Sequence, residues 1–176
     1  AARDGGGAAG GVAVDDRGQV YVLDVGNRRV QVFGSDGTYV RSWRTTNGAA
    51  VPLRLTVAGT GDVYVLQSNL MIRRFTGRGS LISSFGGSYL RESEGLSDPN
   101  QNPRFVNPVD LSSDDMGNVY VTDWAYKNPY LMTDRLIRFT ADGTFASAWP
   151  WYEAGTSLGG DIGDLDVGPD GDVYVT

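Results

Sequence analysis

The sequence contains neither cysteine nor histidine. That excludes disulfides, thiolate nucleophiles, zinc sites of the usual kind and every imidazole acid or base. Long apolar runs are missing too, and no stretch approaches the roughly 20 residues of a membrane-spanning helix. Lysine is reduced to Lys127 beside fourteen arginines, and glutamate to Glu92, Glu94 and Glu153 beside eighteen aspartates. Aspartate favours turns and glutamate favours helices, so the skew fits an all-β chain. The formal charge of −6 lacks the basic surplus with which nucleic-acid binders neutralise phosphates. No nucleic-acid partner is expected. Nucleophile-elbow, phosphate-loop and dinucleotide strings are also missing, and GGGAAGG near the start has no strand before it and no helix after it.

What is present is repetition. Glycine, at 25 of 176 residues, is spread along the chain, and 40% of the residues are apolar, enough for one domain with a core. The string G-x-V-Y-V starts at Gly18, Gly61, Gly117 and Gly171. Upstream of each glycine stand Val12, Leu55, Leu111 or Leu165 in one register and Val14, Val57, Ser113 or Val167 in another. Downstream come Phe33, Phe75 or Phe139, then Gly37, Gly79 or Gly143, then Trp43, Phe85 or Trp149. Each unit reads as four short strands, A to D, with tight turns after A and after C. Glycine spacings of 43, 56 and 54 fit four-stranded propeller blades, the longer two with insertions.

The expected fold is therefore an all-β propeller of four-stranded antiparallel blades, incomplete as a ring in this chain. Residues 1–10 are expected to be a linker or processed segment. Blades are expected near 11–50, 51–104 and 105–158, with a half blade over 159–176. Closing a propeller removes its sheet edges. The remaining blades are accordingly expected from a longer chain or from a second subunit.

Asp24 to Phe33, DVGNRRVQVF, resembles the NHL repeat pattern D-x-G-N-x-R-[IV]-Q-V-F. The second unit has lost the pattern, with Met71 in place of Arg29, and the third keeps Asp123 and Arg135 around an inserted loop. The resemblance implies a six-bladed type of propeller. It further implies that Asp24 with Arg29, and Asp123 with Arg135, hold the B–C hairpins together, with Asn27 supplying a left-handed turn residue. The family's sensor and surface proteins imply an extracytoplasmic or cell-surface setting, bacterial sensors among them.

Antiparallel connectivity places A–B and C–D turns at one end of every blade and B–C and D–A loops at the other. The connections 44–52, 86–107, 124–134 and 150–160 all belong to the second class, so length variation is confined to one face. Long loops on a rigid scaffold are where binding residues are placed. Trp124, Tyr126, Lys127, Tyr130, Trp151 and Tyr152 lie in them and are the candidate binding residues. Packing of these loops onto the blades is the other role such aromatics can have. Asp98, Asn100 and Asn102 open like a calcium loop, but Pro103 and Val109 stand where glycine and glutamate are needed. No metal and no cofactor are expected.

The expected function is a non-catalytic binding or protein-interaction module whose loop face takes a protein, small-molecule or glycan ligand. The alternative is part of a propeller enzyme of lyase or hydrolase type with its catalytic residues in other blades. A third reading, an RNA-binding NHL domain, fits poorly with the acidic balance.

Overall fold

The computed structural model describes residues 9–87, 104–124, 134–150, 162–168 and 170–176. Fourteen strands and no helix are found among them. The first blade is β1 (Ala9–Val14), β2 (Val20–Asp24), β3 (Arg29–Phe33) and β4 (Tyr39–Arg44). The second is β5 (Pro52–Val57), β6 (Val63–Gln67), β7 (Met71–Phe75) and β8 (Leu81–Gly86). The third is β9 (Pro108–Ser113), β10 (Val119–Asp123), β11 (Arg135–Phe139) and β12 (Phe145–Pro150). A two-stranded sheet of β13 (Leu165–Val167) and β14 (Val173–Val175) begins a fourth. Every sheet is an antiparallel meander in chain order, as the repeat requires.

Glycine explains the turns. In each A–B turn the fourth residue, Gly18, Gly61, Gly117 or Gly171, donates its N–H to the carbonyl of the first. The C–D turns close the same way at Gly37, Gly79 and Gly143. All seven glycines have φ between 73° and 93°, a region that side chains with a Cβ avoid. Among the described residues, the non-glycine ones there are Arg28 (φ 52°) and Leu70 (φ 63°), in the B–C turns. The left-handed residue of the first B–C turn is thus Arg28, which corrects the assignment to Asn27. Asn27 instead turns its side-chain amide onto Asp24.

The core lies between blades. Tyr21, Leu23, Val30 and Val32 of blade 1 pack against Leu55, Val63, Val65 and Phe75 of blade 2. On the opposite face of β6, Tyr64 and Leu66 pack against Val119, Val121, Ile137 and Phe139 of blade 3. All five residues of β6 and of β10 are buried, whereas Val20 and Val22 on the outer face of β2 are only half-buried. Each buried valine contributes roughly 1.5–3 kcal/mol.

A second device repeats at the boundaries of blades 1–2 and 2–3. Trp43 of β4 covers Gly79, where an added Cβ would sit 2.6 Å from the indole. Phe85 of β8 covers Gly143 in the same way. Beside the aromatic, an arginine crosses the boundary. Arg41 Nε donates to the Gly77 carbonyl at 2.8 Å and Arg74 Nη1 to the Ala141 carbonyl at 2.7 Å. Each guanidinium also lies over the repeat tyrosine of its own blade, Arg41 over Tyr21 and Arg74 over Tyr64, a favourable cation–π geometry. Burial pushes the Tyr64 hydroxyl up to about 12. It stays a neutral donor, bonded to the Gly117 carbonyl at 3.0 Å.

Candidate functional site

The last residue of strand B carries the polar chemistry at the loop-bearing end. In blade 1, Asp24 accepts from the Asn27 backbone and side chain, from Arg29 Nε at 2.8 Å and from Gln31 Nε2. Burial works to raise the Asp24 carboxyl, but the bonds from Asn27 and Arg29 outweigh it and hold it below the usual range. In blade 2, Gln67 takes this position, fully buried, and donates to the Thr45 carbonyl of the incoming loop at 2.9 Å. Arg73 donates to the same carbonyl at 3.0 Å. Nothing in the repeat pattern marked Gln67, because the aspartate is gone, yet it anchors the D–A loop in its place.

Blade 3 carries this arrangement furthest. Asp123 and Arg135 form an ion pair at 2.9 Å with side chains 0% and 2% exposed. Asp123 also accepts the backbone N–H groups of Val106 and Asn107, and Arg135 donates to the Arg104 carbonyl. Burial drives the Asp123 carboxyl upward against the pull of Arg135 and those amides. The expected hairpin clamp is therefore present and does more, since it also fixes the end of the connection that precedes blade 3.

Three long connections meet at this point. One leaves at Gly87 and returns at Phe105, whose N–H donates to the Gly87 carbonyl at 2.8 Å. The next leaves at Trp124 and returns at Asp134, beside the cross-strand pair Asp123 and Arg135. Trp124 N–H donates to the Asn107 carbonyl at 3.0 Å, tying it to the first connection. The third leaves at Pro150, paired with Arg135, and returns at Ile162, whose N–H donates to Asp134 Oδ2 at 3.3 Å. The ends of all three segments are thus held within one hydrogen-bonded cluster.

Of the candidate binding residues, the structure places Trp124, half-buried at the end of β10. Tyr126, Lys127, Tyr130, Trp151 and Tyr152 lie outside the described residues. Asp98, Asn100 and Asn102 do as well. Among the described residues no three acidic side chains converge closely enough to hold a metal ion.

The A strands line a polar channel beside the cluster. Arg54, Thr56, Asp110, Ser112, Ser113 and Asp166 contribute to a cavity of about 510 Å³ that runs to the A–B turns. Arg54 lies 3.5 Å from Asp110, and Asp110 accepts the Leu165 N–H at 3.0 Å. Burial raises the Asp110 carboxyl above its ordinary value despite both partners. Thr56 and Ser113 bridge blades 2 and 3 at 3.1 Å, and Thr122 reaches the Gly163 carbonyl. A second cleft of about 600 Å³ lies at the turn end between blades 1 and 2, bordered by Gln19, Arg41 and Arg78. No reading of the loops pointed to either cavity.

The family model for the NHL repeat matches residues 9–33. The mouse NHL repeat-containing protein 3 is 30% identical over 157 residues, which is 82% of this chain and 41% of that protein. The chain therefore spans under half the length of the curated relative it matches. Among solved structures, a streptogramin B lyase superposes with a TM-score of 0.61 at 16% identity, over 96% of this chain and 47% of the lyase. A catalytically inactive virginiamycin B lyase from Staphylococcus aureus, solved with quinupristin, gives 0.61 at 19% over 96% and 48%. A Bacteroides caccae protein of unknown function gives 0.57 at 14% over 98% and 54%. Identities this low carry the fold alone. The NHL match in the first unit and the likeness to an NHL repeat-containing protein support an NHL-repeat family for this chain, whose fold is that of β-propeller blades.

Proposed function

We propose that the protein is a non-catalytic binding module that takes a protein or glycan ligand on its loop-bearing face. The observation carrying this reading is the convergence of three long connections on the cluster of Asp123, Asp134 and Arg135. Connections whose described ends are held at one buried ion pair begin and finish close together, with little ordering cost at those ends. At the opposite end, every described turn is a four-residue glycine turn. The surface includes Trp124, and by sequence position Tyr126, Lys127, Tyr130, Trp151 and Tyr152, residue types suited to protein and sugar contacts.

The test is an array of glycans and peptides probed with three forms of the protein. The set bound by the wild type should vanish for Trp124→Ala with Tyr130→Ala. It should persist for Asp16→Asn with Asp115→Asn, which alters only exposed turns at the other end. Thermal unfolding of the aromatic variant should stay near that of the wild type. Retention by the aromatic variant with loss in the turn variant would move the site to the channel mouth.

A further inference from the structure

Blade 1 sets two arginines directly opposite each other. Arg29 at the start of β3 pairs with Arg44 at the end of β4, so both side chains leave the sheet on one face. Like charges directly opposite across a ladder are destabilising. At the same positions blade 2 has Met71 opposite Gly86, and blade 3 has Arg135 opposite Pro150. Compensating charge is scarce in blade 1. Of residues 24–29 and 42–50 only Asp24 is acidic, against Arg28, Arg29 and Arg44. Asp24 is engaged by Arg29 at 2.8 Å, and Arg28 donates to the Gly48 carbonyl. Arg44 is exposed and makes no hydrogen bond or ion pair among the described residues. The two arginines border a cavity of about 340 Å³ lined by Asn27, Arg29, Ser42, Trp43 and Arg44. Asn27 donates its amide to Asp24, which leaves its Oδ1 as an acceptor. Ser42 Oγ accepts from the Tyr39 hydroxyl at 3.0 Å, which leaves its own proton to donate. This face of strand D is open to solvent even where a blade precedes it. Ser84, the counterpart of Ser42 in blade 2, is exposed, and Val40 and its counterpart Ile82 are each 46% exposed.

We propose that this cavity binds a uronic acid residue of an acidic glycan, with the sugar carboxylate between Arg29 and Arg44. The carboxylate supplies the negative charge that the opposed arginines lack, and guanidinium groups bind carboxylates through paired, charge-assisted N–H donors. A local rule broken at a cost in stability is a mark of a functional site. Asn27 Oδ1 and the Ser42 hydroxyl add one acceptor and one donor, which sugar hydroxyls can meet in both senses. A bare sulfate would leave the Asn27 acceptor unused. The cavity volume of about 340 Å³ is at the low end of small-ligand pockets, roughly 300–1,000 Å³. It has room for a single sugar ring and its carboxylate. The site lies on blade 1 and includes none of the aromatic loop residues, so it goes beyond the contact surface proposed above and does not depend on it.

The experiment is a calorimetric titration of the full chain with an oligogalacturonate, with the methyl ester of the same oligomer as the uncharged control. The acid should bind, more weakly at high salt, and the ester should not. Arg44→Gln should weaken binding of the acid by about tenfold or more, the loss expected for a charge-assisted hydrogen bond. Its melting temperature should stay level or rise, because the repulsion with Arg29 is gone. A merely structural Arg44 would lower the melting temperature instead. Trp124→Ala with Tyr130→Ala should leave this titration unchanged, which separates the blade 1 site from the loop surface. Absence of binding by the folded wild type overturns the proposal, as does equal binding of the ester or full binding by folded Arg44→Gln. Sulfate or polyuridylate bound as tightly as the acid would make the two arginines a general anion contact and overturn the assignment to a uronate.

Discussion

Two carboxylates at equivalent positions carry different weights, because their surroundings differ. Asp24 sits in a part-buried hairpin and meets Arg29, Asn27 and Gln31 in a partly wet setting. Asp123 is sealed in and is the acceptor for a buried guanidinium and two backbone N–H groups. Exposed pairs are worth about 1 kcal/mol or less. Removing one charge of a buried pair costs about 3–5 kcal/mol. Asp24→Asn should therefore lower stability in urea unfolding by about 1 kcal/mol, and Asp123→Asn by about 3–5 kcal/mol. Equal losses would show that the third blade's pair is screened after all. The roles of Asp24, Arg29, Asp123 and Arg135 were readable in the NHL-like pattern. The depth of the second pair was not, because Asp123 and Arg135 meet the backbone of residues 104–107 across separations of 16 to 31 residues. Asn27 misled for a local reason. Its amide finds Asp24, and the left-handed φ passes to Arg28.

The elements were the most legible part of the chain. Alternating valines bounded by glycine turns specify a half-buried antiparallel strand, and every four-residue turn read from DDRG, TGRG and their equivalents closes as expected. Sequence alone gives no sign that C–D glycines serve two purposes. Gly79 has positive φ and also lies under Trp43, while Gly37 has positive φ and nothing within 4 Å of an added Cβ. Gly37→Ala should thus cost only the left-handed strain, about 1–2 kcal/mol. Gly79→Ala adds a clash with the indole, and overpacking brings roughly 1–3 kcal/mol more. Thermal melts of the two variants check this, with the larger fall expected for Gly79→Ala. The blade 2 anchor was illegible for a related reason. Gln67 holds the incoming D–A connection with an amide as Asp123 does with a carboxylate, so the pattern vanished while the function persisted.

At the scale of the whole molecule, burial rises toward the middle blades. β6 and β10 are covered on both faces, whereas β2 and β14 have one face or more open. Local opening draws on the least covered units first. Backbone amides of Val63–Gln67 and Val119–Asp123 should exchange with deuterium last, and those of Val173–Val175 early. Exchange of β14 as slow as that of β6 would contradict a stability set by blade-on-blade packing. The loop face, by contrast, was located by connectivity alone, and its common root at Asp134 and Arg135 required three dimensions to see.

The aromatic that reaches forward onto the next blade's glycine has a consequence for how such chains change over generations. The boundaries of blades 1–2 and 2–3 are the same joint, with a ring on one side and a bare turn on the other. Duplication of one whole repeat, such as the 43 residues Gly18–Thr60, inserts a blade whose two joints already match. A fractional duplication strands a ring without its turn. Inheritance in this architecture therefore proceeds in whole units around the axis. The connections at the far end are free to lengthen one residue at a time, because closing a longer loop costs only a logarithm of its length.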